Sequence, residues 1–122
     1  MKIFVDGSPT AVCFTTEEGP PVVRGLSTSV TSNQAEYLAV IFALNELPGI
    51  DEILSDSELV IKQLNGEDIV RNEELKGLAC EIWRIVGAEY AKVKGGLRCT
   101  RTGNVKFTWV PREENKAGEI LG

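Results

Sequence analysis

Histidine is missing altogether from this 122-residue chain. Its absence excludes Ser-His-Asp and Cys-His triads, imidazole general bases and histidine-ligated zinc. Cysteine is scarce, with Cys13, Cys80 and Cys99 odd in number and far apart. That pattern gives no disulfide framework and no metal-thiolate spacing, so reduced thiols and a cytoplasmic location are expected. No apolar run reaches membrane-spanning length, and Met1-Lys2-Ile3 leads directly into a strand pattern, so neither a membrane anchor nor a signal peptide is expected. Positive charge is also short. Thirteen Lys and Arg face 18 Asp and Glu, for a net charge of −5, which argues against a non-specific nucleic-acid binder. The cations that do exist are clustered. Between Arg84 and Lys106 lie Arg84, Lys92, Lys94, Arg98, Arg101 and Lys106 against Glu89 alone. Such asymmetry marks a phosphate-facing surface or a solvated helix face and loop, and Lys92, Lys94 and Arg98 are the candidate phosphate contacts.

What is present is an ordinary globular composition, 43% apolar and 25% charged, sized for one domain over residues 1–122 with a single core and expected as a monomer. Lys2–Asp6 reads as a short strand with a continuous apolar centre, and Asp6-Gly7-Ser8-Pro9 as a turn. Ala11–Thr16 and Pro21–Thr28 complete an antiparallel meander. A helix over 33–47 and a strand over Asp51–Ser55 follow, the latter placed parallel to the first strand because a helix separates them. Ser57–Leu64 predicts a second helix closed by Asn65-Gly66. Asn72 caps a third, running from Glu73 to about Lys94 and ended by Gly95-Gly96. Val105–Val110 is a last strand, Pro111–Asn115 a polar turn, and Lys116–Leu121 a final short helix. The fold class is therefore α/β: a mixed five-stranded sheet, three antiparallel strands then two parallel, flanked by helices.

Thr31–Leu47 organises the rest. Leu38 to Leu44 is apolar or Ala throughout, and Pro48-Gly49 stops the helix. Ser32 or Asn33 offers an N-cap, with Glu36 as the capping-box partner of Asn33. Glu36, Val40, Ala43, Leu44 and Leu47 share one face, so a carboxylate begins a stripe that faces the core. The opposite side is apolar too, as in a helix covered on more than one side. Asp6 ends the first strand and Asp56 the fourth, which puts both carboxylates on one sheet edge within reach of Glu36. Each residue alone has a plainer reading: Asp6 as a turn former, Glu36 as a cap partner, Asp56 as an N-cap. Together they form an oxygen-only set that selects hard cations, Mg²⁺ or Mn²⁺, and two such ions suit in-line displacement at phosphorus.

Ile3-Phe4-Val5-Asp6-Gly7-Ser8, Thr31-Ser32-Asn33-Gln34-Ala35-Glu36, Ser55-Asp56-Ser57-Glu58-Leu59-Val60 and Trp109-Val110-Pro111-Arg112-Glu113-Glu114-Asn115-Lys116 stand in an order that resembles ribonuclease H of type 1. The resemblance spans nearly the whole chain. It implies a ribonuclease H-like fold and hydrolysis of the RNA strand of RNA–DNA hybrids with two divalent cations held by an Asp-Glu-Asp-Asp set. Asp6, Glu36 and Asp56 match the first three acids. Glu119 takes the fourth place, as Glu, four residues after Asn115, with Asn115 the alternative neutral ligand. Thr31, Asn33 and Gln34 match positions where the family contacts its substrate, and Asn115 belongs to the same group. The chain lacks the family's Gly-rich first hairpin, its mobile His and its basic protrusion, since Glu67–Asn72 is short and acidic. A related nuclease of the same fold (a junction resolvase or an RNA–RNA cleaver) and a binding protein that no longer cleaves are the alternatives.

Overall fold

A computed structural model describes residues 1–121. Five strands form one sheet in the order β3-β2-β1-β4-β7, from β1 (Lys2–Ser8), β2 (Ala11–Thr15), β3 (Val22–Gly25), β4 (Glu52–Ser55) and β7 (Lys106–Trp109). The meander is antiparallel, while β4 runs parallel to both β1 and β7, with Ile3 opposite Ile53 and Ile53 opposite Phe107. The expected mixed sheet is thus present, and Asp6 and Asp56 do emerge from adjacent strands at the same edge. β1 is longer than the sequence suggests. Gly7 and Ser8 pair with Val12 and Ala11, so Asp6 lies inside the strand opposite Cys13 and the turn shrinks to Pro9-Thr10.

Helix α1 (Ser32–Glu46) lies across the sheet with Ala35, Tyr37, Ala39, Val40, Ile41, Phe42 and Ala43 all buried. Residues on every side of the helix are covered, by the sheet below and by the other helices beside it, as the run of apolar residues around its circumference implies. The N-cap is Thr31, not Ser32 or Asn33. Its hydroxyl accepts from the Gln34 N–H at 3.1 Å and its own N–H donates to Gln34 Oε1 at 2.8 Å. Gln34 therefore completes the capping box, and Glu36 is released from that duty. Helix α2 (Glu58–Leu64) starts at Ser57 and ends at Asn65, whose amide donates to the Phe107 carbonyl at 2.9 Å and fastens α2 to the last strand.

Helix α3 (Glu73–Val86) begins at Asn72 as expected but stops eight residues before Lys94. Gly87 adopts φ 73°, left-handed, and the Ala88 N–H closes onto the Trp83 carbonyl at 2.9 Å. The chain then turns back as a hairpin, β5 (Glu89–Val93) and β6 (Gly96–Arg101), a second two-stranded sheet. Period two suits this segment better than period 3.6: Leu97 and Cys99 alternate into the core, and Tyr90 stacks on the fully buried Trp83 at 4.9 Å. Backbone bonds between Val70 and Leu97 pin the hairpin to the loop before α3. After β7 the chain forms a 3-10 turn (Arg112–Glu114) and then further turns to 120 in place of the final helix expected over Lys116–Leu121. No helix among the described residues is long and apolar enough to cross a membrane.

One close approach sets the position of α1 on the sheet. A Cβ on Gly7 would lie 2.3 Å from the Ala35 carbonyl oxygen and 2.9 Å from the Glu36 nitrogen. These are backbone atoms, so no side-chain rotation relieves the clash. Gly7→Ala is expected to destabilise the protein by about 1–3 kcal/mol in chemical denaturation, the range of overpacked cores. A stability within error of wild type would show that α1 can move away at little cost.

Candidate active site

Three carboxylates converge at the sheet edge. Asp6, Glu36 and Asp56 each bring one oxygen to within 4.8 Å of the others'. Asp6 is buried, and Glu36 and Asp56 are half-buried. Glu36 Oε1 accepts from the Gly7 N–H at 3.3 Å, and Oε2 faces the Ser55 hydroxyl at 3.5 Å. The glycine that lets α1 approach also supplies the backbone donor that orients its carboxylate.

Arg112 completes the cluster. Nη1 donates to Asp6 Oδ1 at 3.1 Å and to Asp56 Oδ2 at 2.9 Å, while Nη2 donates to the Gly118 carbonyl at 2.7 Å. One guanidinium thus bridges the two aspartates and ties them to the C-terminal turns. Sequence reasoning placed no role on Arg112, Gly7 or Ser55. The available signal was electrostatic: two aspartates on neighbouring strand ends call for a cation, and Arg112 follows the last strand.

The electrostatics carry the mark of this crowding. Burial pushes the Glu36 carboxyl up to about 8, with the Asp6 charge adding to the shift and the Gly7 N–H opposing it. Burial also raises Asp6, against the lowering effect of Arg112. Cys13, opposite Asp6 on β2, is pushed up to about 12 by burial and then by Asp6 and Glu36. A thiol so raised stays protonated and unreactive.

The remaining sequence candidates are more dispersed. Asn115 is buried, donating to the Val5 carbonyl at 2.9 Å and accepting from the Ala117 N–H at 3.1 Å. Both ends of its amide are engaged, so it acts as a strut that holds the C-terminal turn against β1. Glu119 is exposed on the turn after Gly118 and is not one of the three converging carboxylates. Thr31 and Gln34 form the cap of α1, and the Gln34 amide also donates to Glu74 of α3 at 2.6 Å, while Asn33 is exposed beside them. Lys92, Lys94 and Arg98 are all exposed on the hairpin. They do not share one face: Lys92 stands opposite the buried Leu97, whereas Arg98 stands opposite Ala91 on the outward side.

No protein-family model matches the chain. Solved structures do. A ribonuclease H1 isolated from compost by a metagenomic approach, whose structure was also determined in complex with an RNA/DNA hybrid, superposes with a TM-score of 0.71 at 27% identity, covering 98% of this chain and 91% of that one. The N-terminal RNase H domain of a Mycobacterium tuberculosis protein gives a TM-score of 0.72 at 20% identity over 98% and 93% of the two chains. Ribonuclease H1 from the halophilic archaeon Halobacterium salinarum gives 0.69 at 24% identity over 98% and 92%. The chain has the ribonuclease H-like fold and resembles type 1 ribonucleases H from one end to the other.

The raised carboxyls make stability depend on pH with a definite sign. Glu36 binds its proton in the folded protein up to about pH 8, whereas an unfolded Glu releases it near 4.5. Folding therefore takes up a proton between those values, and that stabilisation is complete below about 4.5 and lost as pH rises through 8. In chelator, the melting temperature should fall from pH 5 to pH 8. Glu36→Gln should flatten most of that slope, measured by scanning calorimetry. A wild-type profile flat across this window would refute the electrostatic picture of the cluster.

Proposed function

We propose that this ribonuclease H-like chain is a divalent-metal-dependent endonuclease that hydrolyses the RNA strand of RNA–DNA hybrids. The observation that carries the reading is the convergence of Asp6, Glu36 and Asp56 at the edge of this sheet. The donor set fits hard cations: it is all oxygen, its charge is strained in their absence, and no His or Cys side chain joins it. Mg²⁺ or Mn²⁺ ions, as a pair, would supply the activation of water and the stabilisation of the leaving oxygen. Asp6 and Asp56 are the residues to hold them from the strand ends. Glu36 is oriented for the same task by the Gly7 N–H and the Ser55 hydroxyl. Glu119 is the fourth ligand in this reading. It stands next to Gly118, whose carbonyl Arg112 holds, and its side chain is exposed. Asn115, whose amide holds Val5 and Ala117, supports the turn in this reading.

Substrate contacts follow from the same arrangement. The start of α1, with Thr31, Asn33 and Gln34, lies beside Glu36, and Gln34 reaches the first turn of α3. The hairpin is pinned at Val70, two residues before the α3 cap, so its turn comes up at that same end of α3. In this reading Lys92, Lys94 and Arg98, exposed on that hairpin, contact the backbone of a duplex lying over the carboxylates. The compost enzyme's complex with RNA/DNA hybrid supports the choice of duplex.

The direct test sets labelled RNA–DNA hybrid, single-stranded RNA and RNA duplex against the protein with and without Mg²⁺ or Mn²⁺. Cleavage confined to the RNA of the hybrid is expected. Asp6→Asn should lower the rate by about a thousandfold without unfolding the protein, because it removes both a ligand and a like charge. Glu119→Gln should raise the metal concentration for half-maximal activity, with a smaller loss of rate than Asp6→Asn causes. Near wild-type cleavage by Asp6→Asn would overturn the assignment, and an unchanged metal requirement in Glu119→Gln would remove the fourth ligand.

Binding should also weaken steeply with salt, at a slope that reports a few phosphate contacts. Joint replacement of Lys92, Lys94 and Arg98 by Ala is expected to weaken binding and flatten that slope, and to leave the rate at saturating hybrid nearly intact. An unchanged slope would return those cations to the solvent.

A further inference from the structure

Trp109 is an exposed tryptophan with no part in the carboxylate chemistry, yet it sits against it. It ends β7, the edge strand of the sheet, with 45% of its surface exposed. Its indole N–H donates to the main-chain carbonyl of Asp56 at 3.2 Å, and it pairs in register with Ser55, the residue that faces Glu36. The nitrogen edge of the ring is therefore fixed to the cluster while much of the indole remains open. Beside it, between α2 and β7, runs a groove of about 320 Å³ lined by Glu58, Ile61, Lys62, Lys106 and Trp109 among others, with Asn65 bonded across its floor to Phe107. Carboxylates and amines balance in that groove, and Lys62 is paired with Glu58 at 2.9 Å. It offers little net charge. What it offers is a flat, anchored aromatic surface one residue's width from Asp56.

We propose that Trp109 is a packing platform for the nucleotide next to the scissile phosphate, with the indole face against its sugar ring. This inference rests on the nuclease reading, since the occupant is named from continuity with the carboxylate site. Trp109 is bonded to the main chain of Asp56, so a nucleotide adjoining a phosphate held at that carboxylate is the one that meets the open part of the ring. Aromatic packing of this kind tolerates any sequence and does not depend on counterion release. It is suited to a protein whose net charge repels its substrate.

Tryptophan fluorescence tests this without disturbing the fold. The chain has two tryptophans, and Trp83 is fully buried, so quenching by the neutral agent acrylamide reports on Trp109. The Asp6→Asn protein, which should not cleave, is mixed with RNA–DNA hybrid, and binding is followed separately by anisotropy of a labelled hybrid. Bound hybrid should protect most of the quenchable emission. Trp109→Phe serves as the baseline for Trp83. In the otherwise wild-type protein, Trp109→Ala should weaken hybrid binding by roughly tenfold at both low and high salt, leaving the salt slope unchanged, and Trp109→Phe should recover most of the loss. Acrylamide quenching that is the same with and without bound hybrid would overturn the platform, as would unaltered affinity in Trp109→Ala. Failure of Asp6→Asn and wild type alike to bind hybrid would overturn the nuclease reading, and the platform with it.

Discussion

Everything at the functional edge depends on bringing three carboxylates within 4.8 Å of one another inside a folded protein. Two unit charges about 4 Å apart repel by roughly 4 kcal/mol where the surroundings screen as a protein surface does. A fold that wanted only stability would separate them. This one uses three devices to keep them together. Glu36 holds its proton to about pH 8, so the cluster carries less charge than its composition suggests. Arg112 places a single nitrogen between Asp6 and Asp56. The Gly7 N–H and the Ser55 hydroxyl supply dipoles to the third carboxylate. Strain held at a site in this way is a recognised companion of function.

The same constraint explains backbone features that look unrelated. The parallel pairing of β1 with β4 carries both aspartates to one edge, and α1 must pack closely enough for Glu36 to meet them. That closeness requires a residue without a Cβ where the helix crosses β1, and Gly7 is there, immediately after Asp6. Arg112 extends the arrangement to the C-terminal turns through Gly118, and Asn115 anchors those turns from beneath through Val5 and Ala117. A buried amide with both ends satisfied is worth keeping, since an orphaned partner costs about 1–3 kcal/mol. Sheet, helix and tail therefore meet at one point, from three distant parts of the sequence.

Much of this was legible in the residues. The five strands of the main sheet with their mixed pairing, the three helices between them, the stop of α1 and the joint placement of Asp6, Glu36 and Asp56 all follow from periodicity, caps and strand ends. The failures have local causes. Asn33 and Glu36 make as good a capping box on paper as Thr31 and Gln34 do, and only packing decides which side chain caps the helix end. Tyr90 falls on the helical stripe that begins at Leu75, so the pattern carries straight through Gly87. The tertiary partners that reverse it, Trp83 under Tyr90 and Val70 beside Leu97, are distant or ambiguous in sequence. Arg112 was hidden for a different reason: a bridging cation is defined by what lies on both sides of it, and one of its partners is 106 residues away.

Net charge and local charge give opposite accounts of a partner, and distance decides between them. At physiological ionic strength fields decay over roughly 8 Å, so a net charge of −5 spread over the surface acts weakly on a molecule already in contact. What acts there is the set of groups within that radius. At the functional edge these are the carboxylates, whose charge is partly cancelled by Arg112 and by the proton on Glu36. Farther along, the hairpin after α3 carries its cations in the open, with no buried residue in β5 at all. The overall charge thus opposes long-range capture of a polyanion, while the carboxylate edge has its charge partly cancelled and the hairpin carries exposed cations. On an acidic surface built this way, electrostatic steering contributes little to the capture of a polyanion, and any attraction acts at short range.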